Sequence, residues 1–169
     1  MTDIKIEFAH RRYLPQILEM TMQTQIEHAD RQPDQFSKTQ LEPSLLKFYR
    51  SSFRRWGFLP AFASQRVIAA VQGDHLVGYI ALKFRRVRRS IVWSATIYDI
   101  RVDAAFQGQG VGRRLVDFAT TVAKDRGCFM MYAHIWHDNI RSARLFSSCG
   151  FEEHYSLYGL SLMETDDGG

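Results

Sequence analysis

The residues of this chain whose types and spacing most suggest chemistry are Gln107-Gly108-Gln109-Gly110-Val111-Gly112-Arg113-Arg114, with three glycines in five positions. Glycine adopts positive φ readily and lets a ligand reach the backbone with no Cβ in the way. The amides of such a turn, with the positive end of a following helix, make a seat for phosphate oxygens. Arg113 and Arg114 in the first helical turn oppose the helix dipole, which is easier to understand if an anion sits there. Two well-known phosphate loops do not fit. A Walker loop needs Gly-Lys-Ser or Gly-Lys-Thr, and neither triplet occurs. A dinucleotide fingerprint needs an acidic residue about twenty positions on, where this chain has apolar Phe129 to Met131.

Other reactive residues are sparse. His134 and His137, three apart on an expected strand, point to opposite faces, and no further ligand lies at metal spacing, so no metal is expected. Cys128 and Cys149 have no paired spacing and read as small core hydrophobes in a reducing compartment. The formal charge is +4 and most cations are arginines, whose guanidinium forks onto phosphate oxygens. The run Arg85, Arg86, Arg88, Arg89 reads as a solvated turn protecting a sheet edge rather than a nucleic-acid surface.

The elements that must hold the glycine-rich turn follow from periodicity. Lys5 to Ala9 reads as an edge strand. Tyr13 to His28 reads as a helix with Leu14, Ile17, Leu18, Met22 and Ile26 on one face and Pro15 in its first turn. Ala29 to Pro43 reads as a loop. Leu45, Phe48, Tyr49, Phe53 and Trp56 argue a second helix stopping at Gly57, its aromatic stripe taken as packing. Three antiparallel strands come next: Arg66 to Val71, a turn at Gly73-Asp74, Leu76 to Phe84, a turn over Arg85 to Ser90, and Ile91 to Val102. Gly78 marks a bulge or a close approach. Val111, Leu115, Phe118, Ala119 and Val122 then form a helical stripe that Gly127 stops. Cys128 to Trp136 reads as a buried strand, with Trp136 as core or pocket wall. Asp138 or Asn139 caps a short helix to Cys149, Phe151 to Met163 contains strand-like residues, and Glu164 to Gly169 reads as a frayed tail. With 169 residues, 46% of them apolar, the economical reading is a single α/β domain over 1–169 with a mixed, mainly antiparallel sheet and about four flanking helices. No apolar run resembles a signal peptide or approaches the roughly 18 residues of a membrane span, so the chain reads as soluble and cytoplasmic.

The stretch Tyr98-Asp99-Ile100-Arg101-Val102, then Gln107-x-x-Gly110-x-Gly112, then Asn139 with Ala143, Leu145, Phe146 and Gly150-Phe151 resembles the core of the GCN5-related N-acetyltransferase (GNAT) family. That resemblance implies an acetyl-CoA site. Ile100, Arg101 and Val102 stand on the family's fourth strand, whose backbone pairs with the pantetheine amides. Gln107, Gly108, Gln109, Gly110, Val111 and Gly112 stand where the loop wraps the pyrophosphate, and Arg113 and Arg144 are candidates for the outer phosphates. Asn139 matches an asparagine that touches the pantetheine arm, with Ala143 and Phe146 further along the same helix. The arm enters where the family's fourth and fifth strands splay apart. Many members carry tyrosine where this chain has Phe146, a hydroxyl often assigned to protonating the leaving thiolate; Tyr155 and Tyr158 are the substitutes at hand.

The activity so implied is transfer of an acetyl group from acetyl-CoA to a primary amine of a small molecule or peptide, by direct attack in a ternary complex. Asp99 is the first candidate base, with Glu27 and Asp30 next, set against the plainer reading of Asp99 as a strand residue paired to an arginine. A homodimer is an assembly the family allows. The rival reading is a non-catalytic CoA-binding module of the same fold, in which the arginine hairpin recruits a partner.

Overall fold

The computed structural model describes residues 3–31, 43–53, 64–86 and 92–154. The order is β1 (Lys5–Phe8), a single 3-10 turn at Arg11–Tyr13, α1 (Leu14–Arg31), α2 (Pro43–Ser52), β2 (Gln65–Gln72), β3 (His75–Arg86), β4 (Trp93–Val102), a second 3-10 turn at Ala104–Phe106, α3 (Val111–Asp125), β5 (Cys128–Ala133) and α4 (Ile140–Ser148). The strands lie side by side in the order β1-β2-β3-β4-β5. All neighbours are antiparallel except β4 and β5, which run parallel, as the element order predicts.

Both faces of the sheet are covered. Tyr13, Ile17 and Met20 of the α1 region and Phe48 and Tyr49 of α2 pack with Val67, Ala69, Val71, Tyr79 and Ala81 on one face. Val111, Leu115, Val116 and Ala119 of α3 and Phe146 of α4 pack with Ile68, Ala70, Ile80, Leu82 and Ile97 on the other. A strand buried on both sides reads as a continuous apolar run, which is why β2 and β3 carry few polar residues in their middles.

Two register shifts shape the sheet. Ala70 pairs with Gly78 and Val71 with Leu76, so Val77 is an extra residue in β3. Ala81 pairs with Asp99 and Leu82 with Ile97, so Tyr98 is an extra residue in β4. A bulge of this kind re-aims the side chains beside it. Ile97 and Ile100 both belong to the α3 side, while consecutive Tyr98 and Asp99 both reach α2, through Phe48 and Tyr49. Gly78 therefore lies next to a bulge and at a close approach, the two alternatives its position in the strand suggested.

Several boundaries differ from the sequence reading. The 3-10 turn gives way to α1, which runs on to Arg31. Its buried stripe is Ile17, Met20, Thr21, Gln25 and Ala29, whereas Ile26 is 39% exposed; of the two polar residues turned inward, Thr21 meets Tyr79 Oη at 2.8 Å. Within the described residues α2 ends at Ser52; Trp56 and Gly57 lie outside them. Arg85 and Arg86 are the last residues of β3 rather than part of a turn, and Arg88 and Arg89 lie outside the described residues. β5 is half-buried and stops at Ala133, so His134, His137 and Trp136 sit on an exposed connection, where strand alternation does not apply. Among the described residues no group of three or more metal-binding side chains occurs, and no helix is long and apolar enough to cross a membrane.

Candidate acetyl-CoA and acceptor site

The glycine-rich turn is built by local rules. Asp103 caps the 3-10 turn by accepting the Ala105 N–H at 2.9 Å. Gly110 then opens α3 with φ +78°, in the left-handed region where a side chain is strained. The first α-helical bond runs from the Arg114 N–H to the Gly110 carbonyl at 3.0 Å. The N–H groups of Val111, Gly112 and Arg113 consequently have no helical acceptor, and no acidic side chain stands in that first turn. Open amides at the positive end of a fifteen-residue helix are the physical requirement for holding a phosphate.

The flanking polar side chains have other tasks than the sequence suggested. Gln107 donates from Nε2 to the Val102 carbonyl at 2.9 Å, and Gln109 donates to the Ala105 carbonyl at 2.8 Å. Both brace the turn on its own backbone. Arg114 donates to the Ile4 carbonyl at 2.6 Å and so ties α3 to the sheet edge. Arg113 is exposed, with a loose 3.9 Å contact to Asp117, and Arg144 is exposed on α4.

β5 pairs with β4 only from Trp93 to Ile97, the last partners being Ile97 and Ala133. β4 continues to Val102 while the chain after Ala133 leaves the ladder. Ile100 to Val102 thus pair with β3 on one side and have no β5 partner on the other, an edge able to accept an extended ligand as an added strand. Asn139 opens α4, its Oδ1 accepting the Ser142 N–H at 3.1 Å. That settles which residue caps the helix. Ala143 is exposed, and Phe146 is a core residue, 3% exposed, meeting Phe151 edge to face at 5.2 Å.

On the opposite face of β4 the structure assembles a cluster that the sequence did not reveal. Asp99 Oδ2 accepts two hydroxyl hydrogens, from Tyr49 of α2 and Tyr79 of β3, each at 2.6 Å. Tyr79 Oη also lies 2.8 Å from Thr21 Oγ1 of α1, which stands 2.6 Å from the Ile17 carbonyl. Burial, reinforced by the Asp99 charge, pushes both tyrosine hydroxyls well above their usual pKa, so they remain donors. Each hydrogen bond to a charged group is worth roughly 1.5–3 kcal/mol, which explains how an aspartate is tolerated beside this core. Among the described residues no arginine hydrogen-bonds to Asp99: Arg101, two residues on, pairs instead with Glu27, donating from both terminal nitrogens to both carboxylate oxygens, one bond at 2.6 Å. Glu27 holds the Arg101 guanidinium above its usual pKa by that hydrogen bond and is itself engaged. Asp30 is exposed at the end of α1. Tyr98 stacks on Phe48, ring centroids 4.5 Å apart, beside Asp99.

Tyr49, Tyr79 and Thr21 escaped the sequence reading because each looks like packing in its own element. A signal did exist: a buried tyrosine hydroxyl seeks a partner, and an aspartate in an apolar strand needs donors. Tyr155 and Tyr158 lie outside the described residues.

With this geometry in place, comparison with known proteins is informative. The Acetyltransferase (GNAT) family profile matches residues 25–151. Mycothiol acetyltransferase of Jonesia denitrificans is 37% identical over 80 residues, 47% of this chain and 24% of that protein. N-alpha-acetyltransferase RimI of Mycobacterium tuberculosis is 35% identical over 89 residues, 50% of this chain and 51% of that one. The matched region thus spans only about a quarter to a half of these curated relatives. Among solved structures, AAC(6')-Iy in complex with a CoA bisubstrate analogue superposes with TM-score 0.71 at 13% identity, over 95% of this chain and 99% of that one. A transcriptional regulator from Bacillus halodurans superposes with TM-score 0.70 at 23% identity, over 95% and 100%. At these identities the structural likenesses show the fold alone.

Proposed function

The chain belongs to the GNAT acetyltransferase family, and from that premise we propose that it transfers an acetyl group from acetyl-CoA to a primary amine of a small molecule or peptide by direct attack in a ternary complex. The observation that carries this reading is the pairing of open amides at Val111, Gly112 and Arg113 with a neighbouring β4 edge that β5 leaves uncovered. The first suits a pyrophosphate and the second a pantetheine arm. We take the exposed Arg113 and Arg144 as candidates for the outer phosphates, and the Asn139 amide nitrogen, left over from capping, as a candidate contact to the arm. A backbone N–H of β4 would polarise the thioester oxygen.

The amine must attack in its neutral form. For a lysine-like amine with pKa near 10.4 that costs roughly 4.6 kcal/mol at pH 7, and for an α-amine near 7.8 only about 1 kcal/mol. The amine nitrogen bonds to the thioester carbonyl carbon as the C–S bond breaks; the amine loses a proton and the thiolate takes one. Asp99 lies on the α1/α2 face of β4 and keeps Oδ1 unbonded among the described residues, so it is the base or the anchor on the acceptor side. Glu27, engaged with Arg101, is less suited.

Calorimetric titration with acetyl-CoA tests the coenzyme half: binding in the wild type and its loss in Gly110→Trp are expected. Release of free CoA thiol across a panel of amines tests the transfer. One observation favours a second reading. Phe146 is buried and has no hydroxyl to protonate a thiolate, which would suit a CoA-binding module without catalysis; coenzyme binding with no thiol release for any amine would select that module.

A further inference from the structure

The cluster around Asp99 has a specific proton arithmetic. Tyr79 has one hydroxyl hydrogen and gives it to Asp99, so its contact with Thr21 requires the hydrogen of Thr21. Thr21 has one hydrogen as well, shared between Tyr79 Oη at 2.8 Å and the Ile17 carbonyl at 2.6 Å. The chain of donation runs Thr21 to Tyr79 to Asp99, with Tyr49 adding a second donor to the same oxygen. Chains of this kind polarise each link and fix the last one. Tyr49 and Tyr79 are 0% exposed and meet edge to face at 6.0 Å. Two elements, α2 and β3, therefore converge on one carboxylate oxygen, with α1 one bond further out through Thr21, and none of the described residues bonds to the other.

From this we infer that Tyr49 and Tyr79 are positioning residues for the acceptor: they clamp Asp99 by Oδ2 so that Oδ1 receives the ammonium group of the amine to be acetylated. The inference rests on the acetyltransferase reading and adds to it the means by which the acceptor is oriented. The location supports it. The β4 bulge turns Tyr98 and Asp99 onto the same face, at the start of the stretch from Tyr98 to Val102 that β5 leaves unpaired. Asp99 is half-buried and within reach of a ligand, whereas the two tyrosines are not. Rotating the carboxylate away would break two bonds to a charged group, so its orientation is set before any acceptor arrives, which lowers the ordering cost of binding.

The test uses the full chain, Tyr49→Phe and Tyr79→Phe singly and together, and Asp99→Asn. With the best acceptor of the amine panel, the double variant is expected to raise the acceptor KM about tenfold with kcat within about threefold and acetyl-CoA affinity within about twofold. In the Asp99→Asn background the tyrosine changes should add nothing to KM, because both act through the carboxylate. An unchanged acceptor KM in the folded double variant, or a full tyrosine effect in the Asp99→Asn background, overturns the inference. A second measurement needs no turnover and no variant: the carboxyl carbon resonance of Asp99 in isotope-labelled wild type, titrated with the same amines, is expected to shift, and a resonance unmoved by every amine overturns the inference. Failure of acetyl-CoA to bind would overturn the acetyltransferase reading instead, and the amine titration separates the two.

Discussion

A Cβ added to Gly78 would stand 2.8 Å from the Arg101 carbonyl oxygen and 3.3 Å from the Val102 Cα. The two strands approach this closely because β3 carries an extra residue at Val77 and the Asp103 N–H bonds the Val77 carbonyl at 2.9 Å. Gly78→Ala is therefore expected to push the end of β4 outward and to destabilise the fold by about 1–3 kcal/mol. The same strand end is the proposed pantetheine edge, so acetyl-CoA affinity should fall in parallel. Urea unfolding and calorimetry check both; an unchanged midpoint would mean the strand end yields without cost.

Gly110 and Gly112 are two residues apart and should behave differently. Gly110 has φ +78° with open space around its Cα, so Gly110→Ala meets backbone strain and no clash; a loss of about 1–2 kcal/mol is expected. Gly112 is helical, and its added Cβ would lie 3.3 Å from Leu145 Cδ2, the far end of a flexible side chain. A gain in helix propensity of up to about 1 kcal/mol opposes that contact. Thermal unfolding should rank Gly110→Ala clearly below Gly112→Ala, and equal melting temperatures would refute the ranking.

Asn139 caps α4 through Oδ1 and has its amide nitrogen to spare. Asn139→Asp keeps the acceptor, places a negative charge at a helix N-terminus, and should leave stability within about 0.5 kcal/mol. Asn139→Ala should cost about 1 kcal/mol. If the amide nitrogen meets the pantetheine arm, both variants weaken acetyl-CoA binding although only one weakens the fold. Parallel affinity and stability losses would reduce Asn139 to a cap.

Tyr49 and Tyr79 couple stability to alkaline pH. Their folded pKa values are raised above the usual 10.0 by burial and by Asp99. Below pH 10 both the folded and unfolded chains hold these protons and the stability is intact. As pH rises past 10 the unfolded chain releases them first, so stability falls by up to about 1.4 kcal/mol per pH unit for each tyrosine until the folded pKa is reached. Urea midpoints between pH 8 and 11 should show this decline, shallower in Tyr49→Phe. An identical slope in that variant would remove Tyr49 as a source.

The glycine-rich turn, the α3 helix with its stop at Gly127, a cap for α4 at Asp138 or Asn139 and the antiparallel run of β2 to β4 were all legible in the sequence. Each is decided by neighbours a few positions apart, through helical period, capping chemistry and the φ that glycine permits. The family resemblance added the coenzyme to that turn. Arg114 shows where local reading fails. In the first turn of α3 it suggests an anion, yet it is used on the Ile4 carbonyl, a partner supplied by the opposite end of the chain.

What the sequence determined by itself, then, is the set of elements and the loop that suits a phosphate, because those follow from local backbone preference and periodic burial. Only the tertiary structure decided that Tyr49, Tyr79 and Thr21 converge near Asp99, from partners separated by 50, 20 and 58 positions, and that Arg101 turns to Glu27, 74 positions away. A hydroxyl or guanidinium takes whichever partner the packing of helices on the sheet brings within about 3 Å. Here the single extra residue at Tyr98 selects the face on which that partner is met.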